Sequence, residues 1–201
     1  MSEKEAMELI ARSLEAQRRK LSFVRSTLFF GAGALALAVT TADYVVRRTT
    51  GRDLTLMLVL AGTVALYFHY RSHRTVTAND RTLMNVWAYA LGVCLYTAGY
   101  VAAGDGLQLP VMGLLTMGAA IAAGVTGELF RRSETNRSNQ SGSLGGLLFI
   151  SIAGAFLAAW IFRAAAAGET VSQFILTLAA AVILFFGTGI VLRYNERRNR
   201  V

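Results

Sequence analysis

The sequence is short of charge. Asp, Glu, Lys and Arg make up 16% of its 201 residues, against about 25% in a typical soluble domain. Disorder needs low hydrophobicity and high charge, and 54% of this chain is apolar, so a disordered chain is excluded. Cysteine is almost missing: Cys94 is the only one. One thiol makes no internal disulfide, which excludes a disulfide-stapled secreted module, and alone it holds no zinc or iron–sulfur centre. Inside an apolar run, Cys94 is expected to be a small buried hydrophobe. The single proline, Pro110, opens an apolar segment, where a helix tolerates proline best. Lysine stops at Lys20, so no glycine-rich loop leads into a phosphate-binding lysine.

The constellations of catalysis are also missing. The apolar segments carry no Ser–His arrangement, no paired mid-segment aspartates and no acidic metal cluster. Ser141-Gly142-Ser143 has no histidine beyond it to act as a base. The two histidines, His69 and His73, have the i, i+4 spacing that places two imidazoles on one helical face. Tyr70, Arg71 and Ser72 lie between them instead of the Glu of an H-E-x-x-H pattern, and the nearby arginines disfavour a cation. A bis-histidine haem with ligands on opposed helices would need a second chain. The chain is therefore expected to be no enzyme, with no metal site and no cofactor.

What is present is long apolar sequence, with a mean hydropathy of +0.46. Crossing a hydrocarbon core of about 30 Å takes a helix of about 20 apolar residues. Six segments reach or approach that length: 22–46, 54–70, 83–103, 109–130, 144–162 and 171–192. The second is the shortest, and its flanking Arg52 and Arg71 can snorkel to the interfaces. The expected fold is thus all-α: a polytopic membrane protein of six transmembrane helices over residues 21–193. A cytoplasmic amphipathic helix precedes it at residues 1–20, and a basic tail follows at 194–201. The charged first twenty residues and the length of the first run argue against a cleaved leader.

The basic excess fits this architecture. Twenty Lys and Arg against twelve Asp and Glu give a net charge of +8 and a pI near 10.2. The basic residues sit at the ends of apolar runs, which points to the bilayer as partner and away from nucleic acid. Sixteen Lys and Arg fall in the stretch up to Arg25, in the second and fourth connections and in the tail. Four fall on the other side: Arg47, Arg48, Arg52 and Arg163. The positive-inside rule then places both termini in the cytoplasm of a multi-pass inner-membrane protein. The Arg47–Arg48 pair fits this least well, and a shallow or re-entrant first hairpin is the alternative it raises.

The segments read as three tandem hairpins. The outward ends run Thr41-Ala42-Asp43-Tyr44-Val45, Thr97-Ala98-Gly99-Tyr100-Val101 and Leu157-Ala158-Ala159-Trp160-Ile161, and the returns end at Arg71, Arg131 and Arg193. Such similarity is either an internal repeat or the common pattern of small residues before an interfacial aromatic. On both readings Tyr44, Tyr100 and Trp160 are candidates for an aromatic belt. The connectors 71–82 and 131–143 are polar and read as flexible.

At the N-terminus Ser2 and Glu5 have capping-box spacing, acidic residues open the helix and Arg18, Arg19 and Lys20 close it. Met7, Ile10 and Leu14 form a narrow apolar stripe, suited to a membrane surface, a partner or a second copy. Ionisable residues inside apolar segments are the usual pointers to function, and the candidates are Arg25, Asp43 and Glu128. Glu128 can pair with Arg131 or Arg132 one turn on, or with Arg25 across helices, as a structural or functional ion pair. Small-residue ladders, Ala34–Ala38–Ala42 and Gly118–Ala122–Thr126, suit close helix approach.

These features predict a non-enzymatic integral membrane subunit that forms homo-oligomers or anchors another membrane or cytoplasmic protein. Two alternatives stay open. One is a small-solute transporter or channel, with Asn85, Tyr89, Tyr96 and Gln173 among the polar lining. The other is the membrane half of a two-chain sensor.

Overall fold

The computed structural model describes residues 26–51, 55–72, 78–103, 110–134 and 141–198. They are almost entirely helical, and no strand occurs among them. The elements are α1 (Ser26–Thr50), α2 (Thr55–Ser72), α3 (Ala78–Ala103), α4 (Val111–Glu134) and α5 (Ser141–Ala166). A last rod consists of α6 (Thr170–Ala181), a π-helical segment (Val182–Gly187) and α7 (Thr188–Arg198). Among the described residues, four stretches are long and apolar enough to cross a membrane: Ser26–Thr50, Val111–Leu129, Gly145–Ala166 and Thr170–Tyr194. The protein is therefore membrane-associated. The second and third expected crossings are helical as well, but α2 has only 18 residues, and Asn85 and three tyrosines dilute the apolar character of α3. The helices outrun the apolar segments: α3 starts five residues before Leu83, inside the stretch read as a connector.

Two turns show why the chain reverses where it does. Gly51, at φ +69°, ends α1 and donates from its N–H to Arg47 O at 3.0 Å. Gly168, at φ +71°, ends α5 with Gly168 N–H to Ala165 O and Glu169 N–H to Ala164 O, the two bonds of a Schellman motif. Both positions need a left-handed backbone, which glycine takes without a Cβ penalty.

Packing follows small residues. The closest pair is α4 with α5, and α4 is the most buried of the four spans. Ala122 and Ala123 are fully buried there, and the Ser151 hydroxyl donates across the interface to Ala120 O at 2.7 Å. On the other side of α4, Gly118 lies against Cys94 and the Ala90 carbonyl of α3. The ladder Gly118–Ala122–Thr126 is thus buried. That of α1 is not: Ala34 and Ala38 face outward. The buried face of α1 is Ser26, Phe29, Gly33, Thr40 and Asp43, a three-four spacing that one stripe of a helix presents.

Trp87 of α3 ties the layers together. Its ring meets Phe29 of α1 edge-on at 5.1 Å and Phe185 of the π segment at 5.4 Å. Its indole N–H donates to Thr126 Oγ1 of α4 at 3.1 Å, and that hydroxyl donates to Ala122 O at 2.6 Å. By contrast α2 packs on α1 and touches α4 lightly, and α2 and α3 form no packed pair among the described residues.

Candidate functional site

The site lies where α1 turns into α2, facing the start of α6. Asp43 is buried, and its two oxygens are both engaged. Thr55, the first residue of α2, donates from its hydroxyl to Asp43 Oδ1 at 2.6 Å. Arg47 Nε stands 3.0 Å from Oδ2, one helical turn on. Arg47 Nη2 closes the triangle by donating to Thr55 Oγ1. Carboxylate and guanidinium thus neutralise each other around a fully buried hydroxyl, which is what an ion pair removed from water requires. The spacing of Asp43 and Arg47 is the i, i+4 separation at which helix side chains meet.

Next to this triangle, Tyr44 stacks on Phe174 of α6, with ring centroids 4.2 Å apart and planes 20° from parallel. The Tyr44 hydroxyl accepts from Arg48 Nη1 at 2.9 Å. These residues, with Thr170 and Gln173 of α6, line a cleft of about 240 Å³. Its described lining holds one carboxylate and two guanidiniums, a net charge of one positive.

The cleft has a floor in common with a second, larger space. Thr40, Met112 and Thr177 line both the cleft and an apolar chamber of about 310 Å³. The chamber lies among α1, α2, α3, α4 and the α6–π rod, with Trp87 and Leu184 in its wall. The threonines there turn their polarity into their own helices. Thr40 donates to Ala36 O, Thr177 to Gln173 O, both at 2.8 Å, and Thr116 to Met112 O at 2.7 Å. They therefore present methyl groups to the chamber. At its edge Thr63 of α2 and Ala88 of α3 both line the space and are exposed on the surface of the bundle. The chamber thus opens sideways between the two helices that do not pack on each other. A pocket of about 300–1,000 Å³ with mostly apolar walls and a few convergent polar groups is the usual form of a small-molecule site.

Of the residues singled out from sequence, Asp43 and Tyr44 belong to this site, where the Tyr44 ring stacks on Phe174. Tyr100 and Trp160 are exposed, and Arg163 lies 5.1 Å from the Trp160 ring centroid. Gln173 lines the cleft, whereas Asn85, Tyr89 and Tyr96 face outward. Glu128 is half-buried on α4, away from the cleft and the chamber. Arg131 also lies on α4, with its side chain outside the described residues. Met7, Ile10, Leu14, Arg25 and His73 lie outside the described residues, and so does the side chain of His69. Cys94 is a half-buried free thiol against Gly118. No cluster of three or more His, Cys, Asp or Glu occurs among the described residues.

Sequence reasoning did not find Thr55, Arg48 or Phe174 as site residues. Only the Asp43–Arg47 spacing carried a signal. Comparison with known protein families, with curated proteins and with solved structures finds no match to this chain.

Proposed function

We propose that this is a non-enzymatic integral membrane protein that binds a small solute within its helical bundle, as a transporter or the solute-binding part of one. The observation that carries this reading is a polar cleft set directly against an apolar chamber, the two sharing Thr40, Met112 and Thr177 in their walls. A bundle built only to anchor a partner has no need of such a space, because dispersion between close-packed helices is what holds helices together in lipid.

The topology that goes with it has six crossings of the cytoplasmic membrane and both termini in the cytoplasm. Sixteen Lys and Arg against four support that orientation. Arg47, part of the pair that fits the rule least well, is matched by Asp43 at 3.0 Å and so brings little uncompensated charge to its side of the membrane. On this orientation the cleft opens to the outer face. The stripe Met7, Ile10 and Leu14 serves as a surface or partner contact on the inner face.

A second reading, self-assembly, is favoured by the outward face of α1, where Gly31, Ala34 and Ala38 are exposed and nothing lies within 4 Å of a Cβ placed on Gly31. The deciding experiment is purification of the full chain in mild detergent, followed by denaturation and mass spectrometry of what is released. A small molecule near one per chain, lost in Ala36→Phe, which fills the chamber from α1, is the expected result. A homo-oligomer that releases no small molecule supports the assembly subunit instead.

A further inference from the structure

The reading above leaves the solute unspecified, and the geometry narrows it. We infer that the two adjoining spaces together take a single-chain amphiphile with a monoanionic head, such as a long-chain carboxylate, which enters from the bilayer between α2 and α3 and reaches past the shared wall of Thr40, Met112 and Thr177. This inference rests on the solute-binding reading.

Charge decides the head. Asp43 and Arg47 cancel and are tied to each other through Thr55. Among the described residues, Arg48 is the one surplus charge lining the cleft, and its hydrogen-bond partner there is a neutral acceptor, the Tyr44 hydroxyl. A guanidinium has five N–H donors, so most of its donor capacity remains for an anion. Its planar fork fits a carboxylate with two parallel hydrogen bonds. Stacking of Tyr44 on Phe174 fixes the phenol that aims Arg48.

The shape of the lower space decides the tail. The chamber continues inward from Thr40 and Thr177 to Leu184 and Trp87, and its threonines are bonded within their own helices. Such walls reward hydrocarbon and penalise a polar group that finds no partner. The way in follows from the fold. The chamber reaches the surface at Thr63 and Ala88, on helices that the proposed six-crossing topology sets in the bilayer. A tail that leaves the bilayer there passes from one apolar medium to another, and its head remains at the level of the cleft.

The test uses the two tryptophans. The chain has Trp87 in the chamber wall and Trp160 exposed on α5. In a Trp160→Phe background, only Trp87 reports. The full chain, reconstituted in vesicles, is titrated with a terminally brominated long-chain fatty acid, whose bromine quenches a tryptophan it touches. The matching primary alcohol and quaternary ammonium serve as controls. Saturable quenching by the carboxylate, with a half-saturation at least about tenfold lower than for either control, is the expected result. Arg48→Gln raises that half-saturation about tenfold. Ala36→Phe removes the saturable phase, and Ala88→Phe slows its onset and leaves its final extent unchanged.

Saturation by all three probes alike, unmoved by Arg48→Gln, overturns the anionic head and leaves the solute-binding reading standing. An onset that Ala88→Phe does not slow overturns entry between α2 and α3. Quenching that rises linearly with every probe, as for simple partition into the bilayer, overturns both the inference and the reading beneath it.

Discussion

Tyr44 lies with its ring stacked on Phe174 at 4.2 Å and its hydroxyl bonded to Arg48. One residue thus clasps α1 to α6 and holds a cation over the mouth of the bundle. An aromatic pair of this kind contributes about 0.5–1.5 kcal/mol beyond the area it buries, enough to keep the mouth's geometry fixed against side-chain entropy.

The Asp43–Arg47–Thr55 triangle predicts a mutual dependence. Asp43→Asn leaves a guanidinium facing a neutral amide and is expected to cost about 2 kcal/mol, the scale of a charge-assisted hydrogen bond. Arg47→Gln costs a similar amount. The double variant recovers most of the loss, because neither charge is then stranded. Thermal unfolding in mild detergent, followed by loss of monodisperse protein, measures all three. Additive losses in the double variant would show that the ions act separately.

Two glycines predict opposite outcomes for the same substitution. A Cβ on Gly118 would lie 2.7 Å from Cys94 Sγ and 3.0 Å from the Ala90 carbonyl oxygen, and backbone does not give way cheaply. Gly118→Ala is expected to cost about 1–3 kcal/mol by overpacking. Gly92, on the exposed face of α3, has nothing within 4 Å of such a Cβ. Gly92→Ala should therefore gain about 0.5–1 kcal/mol by stiffening the helix. The contrast is read as melting temperatures moving in opposite directions.

Thr188 is fully buried, and its hydroxyl has no hydrogen-bond partner among the described residues. Threonine in a helix normally bonds back to the preceding turn, as Thr40, Thr116 and Thr126 do here. Thr188→Val keeps the shape and removes the stranded group. It is expected to stabilise the chain by about 1 kcal/mol. A lower melting temperature would instead mean that the hydroxyl is used.

Orientation is checked directly. Reporter fusions after Gly106 and after Val201 are expected on opposite sides of the membrane, the second in the cytoplasm. Fusions on the same side would remove the six-crossing topology.

The apolar segments were legible because hydropathy marks the length that lies in hydrocarbon, and each expected crossing falls largely within a helix. Helix ends were less so. Ala78–Thr82 carry polar residues yet extend α3, because the backbone can stay helical in the polar zone beyond the hydrocarbon. The packed face of α1 was hidden for a different reason. Small residues serve close packing and lipid exposure equally well, so Ala34–Ala38 could not be told from Gly118–Ala122 by type alone. The site was the least legible part. Asp43 and Arg47 are four apart and their pairing was there to be read, but the residues that give the site its meaning are distant in sequence. Thr55 comes from across a turn, and Phe174 comes from a helix 130 residues further on. Only the folded bundle brings them together.

The π segment has a consequence for how the chain tolerates change in length. A π turn is an α-helix with one residue too many. Deleting a single residue from a membrane helix ordinarily rotates everything beyond it by about 100° and moves every contact to the wrong face. Within Val182–Gly187 the same deletion removes the surplus. Without Ile183, an exposed residue of this stretch, the rod can close into unbroken α-helix while α6 and α7 keep their facing. The last rod thus carries a spare residue. A one-residue deletion there should leave the protein folded and inserted, where the same deletion in α4 should not.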